Sequence, residues 1–433
     1  MLTRKMKDSG IEWIGEIPED WEVIRNKYIF NKKNIKVGDK HSEYQLLSLT
    51  KKGIVEKDIE VSGGKLPASF STYQAVETSD IVLCLFDIDV SAVFSGISKF
   101  EGMISSAYDV FSVNSKMSPD FYDYYFQLAG FNRSYIIYSK TLRKTINEDN
   151  FRSIFSIVPP LERQVKIARK LDQVVLKIEN IINETQQSIE ELKKYKQSLI
   201  TETVTKGLDP NVEMKDSGIE WIGDIPKHWS MSRVKNEFTL SKGLTITKSD
   251  LKDKGIPVIN YGEIHSRYGF RFDTKIHPVK NVDEEYLTKN KNSLIKKGDF
   301  IFADTSEDLD GSGNFTCYIG DTQCFAGSHT VILKPRTNIN HLYFSYLFES
   351  LAFRVQIQEK VQGIKVFSIT QGILKPLTLI IPTEEEQDQI VSYLDEQTSR
   401  IDKLIADKTK VIEELEDYKK SLIYEYVTGK KEV

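Results

Sequence analysis

MKDSGIEWIG occupies Met6–Gly15 and recurs, letter for letter, at Met214–Gly223. Ten identical residues, 208 positions apart, make the chain a tandem duplication, and its fold must use the segment twice. The match continues more loosely, with Ile17-Pro18 echoed by Ile225-Pro226, Trp21 by Trp229 and Arg25 by Arg233. A second pair of segments closes each half at an offset of 223. Leu171-Asp172 recurs as Leu394-Asp395, Glu190-Glu191-Leu192 as Glu413-Glu414-Leu415, Tyr195 as Tyr418, and Ser198-Leu199-Ile200 as Ser421-Leu422-Ile423. Between these matches lie two regions that scarcely resemble each other, roughly Glu16 to Pro159 and Asp224 to Ile381. A repeated frame with unlike contents suits one scaffold carrying two modules with different tasks. The plainer alternative is two modules that drifted apart without changing role.

The closing segments read as long helices. From Leu161 to Val204 there is neither Pro nor Gly, and Leu171, Val175, Ile178, Ile182, Ile189, Leu192 and Leu199 fall on a heptad grid, with Thr185 and Lys196 as exceptions. The second copy keeps the register through Leu394, Ile401, Ile405, Ile412, Leu415 and Leu422, broken by Thr398, Lys408 and Lys419. Lys206-Gly207 followed by Pro210 stops the first helix, and Gly429 stops the second. Residues 161–204 would span about 66 Å as a helix. Two matched seams in one chain favour pairing with each other over an ordinary bundle core. The first helix leaves one globule and delivers the chain to the next, whereas the second leaves the second globule, so the two are expected to run antiparallel. The carboxyl terminus is then expected near the amino terminus, with a pseudo-two-fold axis through the helical pair.

The globules read as mixed α+β, within an overall α/β class. Ile81 to Phe86 and Thr330 to Leu333 look like strands, Ser62-Gly63-Gly64 and Asp310-Gly311 like turns, and Phe121 to Leu128 and Leu342 to Phe353 like helical stretches. The expected organisation is a first globular domain over 1–159, a spacer helix over 160–207, a second globule over 208–381 and a second spacer helix over 382–433.

Charged residues make up 28% and hydrophobic residues 40% of the 433, the balance of a chain able to fold around more than one core. The longest apolar run, Ile81 to Phe86, is far short of the ~20 residues that span a bilayer, and MLTRKMKDSG lacks the apolar core of a secretory signal. Both points lead to an expected cytoplasmic location. Cys84, Cys317 and Cys324 are odd in number and contain no CxxC pair, which excludes a cysteine-only zinc site and a full disulfide framework. The net charge of −4 and pI near 6.0 run against the basic excess usual in nucleic-acid proteins. Affinity, however, depends on the Lys and Arg that face phosphates, and whole-chain charge hides a local patch.

DSGIEWIGEIPEDW and DSGIEWIGDIPKHW, the PPLERQ and PTEEEQ openings of the long helices, and their SLITETVTKG and SLIYEYVTGK ends resemble specificity subunits of Type I restriction-modification systems. The resemblance covers the whole chain in order, with one departure: Arg163 stands where the second copy has Glu386. It implies two target-recognition domains, each reading one half of a split double-stranded DNA site and held apart by two antiparallel helices. It also implies docking of two methylation subunits and, for cleavage, of restriction (motor-nuclease) subunits. S-adenosylmethionine and ATP would then be cofactors of those partners, with none in this chain. Independently, two readers placed on one face of B-DNA need half-site centres about one turn, or ~10 bp, apart, and a stiff spacer would fix the unread gap.

The repeat suggests one basic pair for DNA contact. Counted back from a Pro160/Pro382 equivalence, Arg143 falls opposite Lys365, in Thr141-Leu142-Arg143-Lys144 and Gly363-Ile364-Lys365. Phosphate clamping or base reading would use such side chains, against the alternative of solvated loop charges. Lys144 extends the first loop. Other candidates are Lys51-Lys52-Gly53 and Gly64-Lys65 in the first domain, and His265, Arg267, Tyr268 and Arg271 in the second, where aromatic and basic residues interleave. Trp13 and Trp221 are candidates for partner docking or for packing against their own domains.

Catalytic signatures are missing from the sequence. There is no Asn-Pro-Pro-aromatic motif for adenine methylation, no GxxxxGK[ST] loop, no HExxH and no GxSxG. Asp304 to Asn314 invites a calcium reading, but the loop beginning at Asp308 has Ile319 where an EF-hand needs its bidentate Glu. His329, in Gly327-Ser328-His329-Thr330, reads as a turn or site-lining residue rather than a general base. The leading expectation is a non-catalytic DNA-recognition subunit. A duplicated metal-dependent endonuclease and a protein-binding coiled-coil adaptor are the alternatives.

Overall fold

The computed structural model describes residues 5–58, 69–363 and 366–433. The repeated decapeptide folds the same way twice, and its letters explain why. Met6–Asp8 pairs antiparallel with Glu16–Pro18, and Met214–Asp216 pairs likewise with Asp224–Pro226. In the connecting turn Asp8 accepts from the Gly10 amide at 2.9 Å and Ser9 Oγ from the Ile11 amide at 3.1 Å; Asp216 and Ser217 do the same for Gly218 and Ile219. Gly10 and Gly218 sit at φ of +68° and +70°, a conformation that costs glycine nothing.

The chain divides into two compact units, the first reaching from the amino terminus to Gln186 and including Thr409–Val433, the second covering Gln187–Lys408. In the first, an antiparallel four-stranded sheet runs in the order Phe30–Lys33, Asp109–Val113, Ile81–Leu83, Ser95–Ile97. Helix Pro119–Phe131, N-capped by Ser118, packs its buried Phe121, Tyr122, Tyr125 and Phe126 into the same core as Phe30, Phe111 and Phe151. Each such aromatic, fully buried, contributes roughly 1.5–3 kcal/mol. The hairpin Leu47–Thr50/Gly53–Glu56 belongs to a satellite cluster around Leu49 and Ile54.

The second unit has a five-stranded sheet, Phe238–Lys242, Thr330–Pro335, Phe300–Ala303, Phe315–Tyr318 and Arg271–Phe272, antiparallel except for the last pair. A four-stranded sheet of Lys280–Val282, Ile256–Ile259, Cys324–Ala326 and Leu294–Ile295 draws its strands from between those of the first along the chain. The helical stretch expected over Leu342 to Phe353 is two helices, His341–Glu349 and Leu351–Gln358. Ser350 between them is extended, with ψ of 149°, and caps neither with its side chain; its hydroxyl instead bonds back to the Leu347 carbonyl at 2.6 Å.

The long helices are Leu161–Lys206, 46 residues, and Glu384–Val427, 44 residues. Each contributes one segment to each unit. In the second unit both helix ends meet Trp229: a Cβ on Gly207 would lie 3.1 Å from its ring, and its Nε1 donates to Glu386 at 3.0 Å. Further in, Lys196 pairs with Asp402 at 2.7 Å. One residue number falls as the other rises, so the segments are antiparallel. In the first unit Gly429 closes against Pro18 and Trp21, Glu22 pairs with Val158 just before the first helix begins, and Glu179 meets Lys419 at 3.7 Å. The segments there are antiparallel too. Leu171, Val175, Ile178, Leu394, Ile401 and Leu422 are all buried, as the heptad grid requires. Two of its polar exceptions, Lys196 and Lys419, are the residues that make these ion pairs.

Candidate nucleic-acid interface

In the first unit the basic residues sit on two turns held by their own backbone and hydroxyl bonds. Lys51 and Lys52 form the exposed tip of the two-residue hairpin, where Thr50 Oγ1 donates to the Gly53 carbonyl at 2.9 Å and accepts from the Lys52 amide at 3.1 Å. Gly53, directly after the two lysines, takes a positive φ of +92°, as the glycine closing a bulged hairpin turn does. Lys140, Arg143 and Lys144 lie on the segment 139–145. There the Lys144 amide bonds to the Thr141 carbonyl at 3.2 Å, the Thr145 amide to Thr141 Oγ1 at 2.8 Å, and Ser139 Oγ to the Thr145 carbonyl at 3.1 Å. The base of this turn is tied to Asp87 and Ile88, whose amides donate to the carbonyls of Arg143 and Lys144. Lys144 is held at φ +47°, an uncommon conformation for a side-chain-bearing residue, and Arg143 projects exposed from the tip. Turns fixed in this way present charge at a defined place, which phosphate contacts need for register.

The second unit offers a different surface. Tyr261, at the start of the short helix Tyr261–Ser266, faces His329 with ring centroids 5.2 Å apart, and His329 Nδ1 approaches Asp304 Oδ1 at 3.3 Å. His329 is itself at φ +56° and more than half exposed. Exposed aromatic and imidazole rings beside a carboxylate can stack on bases and bond their edges. Sequence reasoning left Tyr261 out and weighed Asp304 only as the start of a calcium-like stretch; the positive φ that marks His329 as special is invisible in GSHT.

Several expected contacts are corrected by their surroundings. Tyr268 is a core residue: its hydroxyl donates to the Pro278 carbonyl at 3.0 Å and its ring packs on Phe272 at 4.4 Å. Arg271 does not face solvent as a reader, because its guanidinium lies between Phe270 and Tyr346 and pairs with Asp395 of the second long helix at 2.9 Å. His265 is half-buried, with Nε2 on the Thr305 carbonyl at 2.8 Å; the proton is therefore on Nε2, and Nδ1 accepts from Asn314 at 2.9 Å. Arg267 stays exposed at the end of its short helix. Trp13 and Trp221 pack against their own units, Trp13 on Tyr125 at 5.3 Å. Lys65 and Lys365 lie outside the described residues, as does the Ser62-Gly63-Gly64 turn.

The repeat register is also refined. Gln164 Nε2 donates to the Pro159 carbonyl and Gln387 Nε2 to the Pro382 carbonyl, so Pro159, not Pro160, matches Pro382. Helix caps Asn147 and Thr370 keep that offset of 223, whereas the caps Ser118 and Asn340 stand 222 apart. Arg143 lies between the two registers, opposite Lys365 counted from the helix and opposite Val366 counted from the cap.

Residues 226–414 match the family profile described as Type I restriction modification DNA specificity domain. The chain is 26% identical over 430 residues to the Type I restriction enzyme MjaVIII specificity subunit of Methanocaldococcus jannaschii, covering 96% of this chain and 93% of that one. Over nearly its whole length the chain is similar to Type I specificity subunits. A second specificity subunit of the same organism, MjaX, is 25% identical over 95% of its length, and the EcoKI specificity subunit of Escherichia coli is 23% identical over 48% of this chain. The fold agrees. A chain from a study of complex assembly in the type I R-M system superposes with a TM-score of 0.69 at 14% identity, covering 95% of this chain and 98% of that one. The HsdS subunit of Thermoanaerobacter tengcongensis gives 0.50 at the same identity and coverage.

Within this chain the Arg163/Glu386 departure has a local meaning. Burial pulls the Glu386 carboxyl upward, but bonds from Trp229, Thr383 and His228 outweigh it and hold the group below its usual range. Arg163 cannot accept the corresponding bond from Trp21.

Proposed function

We propose that this chain is the non-catalytic, sequence-reading subunit of a Type I restriction-modification complex, its two unlike globules each reading one half of a bipartite, asymmetric double-stranded DNA site. The observation that carries this reading is the duplicated frame: the same hairpin, the same helix caps and the same antiparallel segments hold modules whose exposed turns differ. Identical modules would read a symmetric site; unlike ones read an asymmetric one. The Lys51-Lys52 and Arg143-Lys144 turns supply phosphate contacts in the first module, and Tyr261, His329 and exposed Arg267 face DNA in the second. Methylation and restriction subunits are the partners, and S-adenosylmethionine and ATP serve on those partners. The comparisons lend no support to the duplicated endonuclease or the coiled-coil adaptor. Among the described residues no helix is long and apolar enough to cross a membrane.

The test is selection from a randomised duplex library by the chain co-purified with its methylation partner, at fixed physiological salt. Enrichment of a split motif with two unlike halves and an invariant gap is expected. One continuous short motif, or no enrichment, sinks the two-reader function.

A further inference from the structure

Leu142 is 101% exposed, further into solvent than any other large hydrophobic side chain described; Val90 and Ile276 follow at 73%. An apolar side chain held wholly in water gains nothing for folding. Nor is it carried there by a slack loop, since the Thr141–Lys144 turn is closed by hydroxyl and backbone bonds and tied to Asp87-Ile88. Its neighbours are cationic. Ser139-Lys140-Thr141-Leu142-Arg143-Lys144 holds three positive charges and no acid. The second copy repeats the theme in sequence, as Ile364-Lys365 answers Leu142-Arg143 in the register of the preceding helix.

We propose that Leu142 is an apolar probe of DNA bases, carried into a groove by a turn whose Lys140, Arg143 and Lys144 hold the flanking phosphates. The proposal rests on the DNA-reading function above. An isobutyl group between cations suits duplex DNA, which surrounds a hydrophobic interior with phosphate charge. Inside the groove it has two productive contacts, the methyl of a thymine or an unstacked base step. A protein surface covering Leu142 would have to bring acidic groups to three cations that have no ion-pair partner among the described residues, whereas DNA phosphates supply that charge wherever a groove is entered.

The experiment compares wild type with Leu142→Ala and Leu142→Asp, each co-purified with the methylation partner, on the selected duplex and on duplexes with either half scrambled. Leu142→Ala is expected to weaken binding about tenfold wherever the first module's half-site is intact, with the salt slope unchanged. No loss, or an equal loss on unrelated DNA, overturns the proposal. So does failure of Leu142→Ala to co-purify, which places the side chain against the protein partner. Melting temperature checks folding, and Leu142→Asp, equally exposed, is expected to bind more weakly still. Deoxyuridine for thymine mimics Leu142→Ala if the methyl is the contact; 2-aminopurine fluorescence that rises with wild type and not with Leu142→Ala marks an unstacked step. Should neither duplex probe respond to the variant, the base contact is overturned. Absence of any bipartite motif with the wild type is a separate result, against the function itself.

Discussion

Asp299 opens a core strand fully buried, with Oδ2 accepting from the Lys296 amide at 3.0 Å and Oδ1 without a hydrogen-bond partner among the described residues. Burial pushes its carboxyl up to about 6, against the opposing pull of Lys296 and Lys334. A carboxyl raised above its unfolded value of about 3.9 adds stability below that value, and loses it as pH climbs through the folded one. The protein is therefore expected to lose stability between about pH 4 and 7 from this group. Asp299→Asn is expected to flatten that loss, gaining about 2 kcal/mol at pH 8 and far less at pH 4. Denaturant unfolding of both proteins at the two pH values checks it; no gain at pH 8 refutes it. At this scale the sequence is least legible. Tyr268 and Arg271 sit in a run of basic and aromatic residues that reads like a nucleic-acid patch, yet one fills a core and the other clamps a helix. Interleaving fixes which residue types are present, whereas the direction of each side chain depends on strand pairing that only the folded chain reveals.

Elements were far more legible, because a heptad grid over forty-odd residues leaves few alternatives. The long helices, their stops and their inward faces follow from period and breakers alone. What the pattern concealed is how each helix is fastened to its globule. Tyr124 donates to Asp172 at 2.8 Å in the first unit and Tyr346 to Asp395 at 2.5 Å in the second, so one bond is duplicated with the frame. Tyr124→Phe is expected to cost about 1–2 kcal/mol in thermal unfolding, and Tyr346→Phe less, since Asp395 keeps Arg271. No loss in either variant would show that the tyrosines act only as packing, and equal losses would show that Arg271 does not compensate at Asp395. Lys196 and Asp402 form a half-exposed pair worth roughly 0.2–1 kcal/mol. Lys196→Glu is expected to destabilise by about that amount, and the exchange Lys196→Glu/Asp402→Lys to recover most of it. A double-mutant cycle without coupling would remove this pair from the account of helix register.

For the whole molecule, the duplication was plain from ten identical letters, while the partition of each long helix between two units was not, since no residue marks Gln186 or Lys408 as a boundary. The carboxyl-terminal turn packs on the amino-terminal hairpin: Tyr424 and Lys430 both donate to the Ile14 carbonyl, at 3.2 and 2.8 Å. Residues 208–211, between the two halves, are exposed. A permuted chain with Val433 joined to Met1 through a short Gly/Ser linker and opened at Asn211 is expected to melt within a few degrees of the original and to enrich the same DNA motif. Loss of cooperative melting would show that the order of synthesis matters to folding. The twin hairpins carry one more consequence, for descent. Because Met6–Gly15 and Met214–Gly223 are identical and make the same turn, a genetic exchange breaking inside either one rejoins onto an equivalent turn. On the proposed function, a lineage can thus inherit a new half-site reader in one event, with its scaffold unaltered.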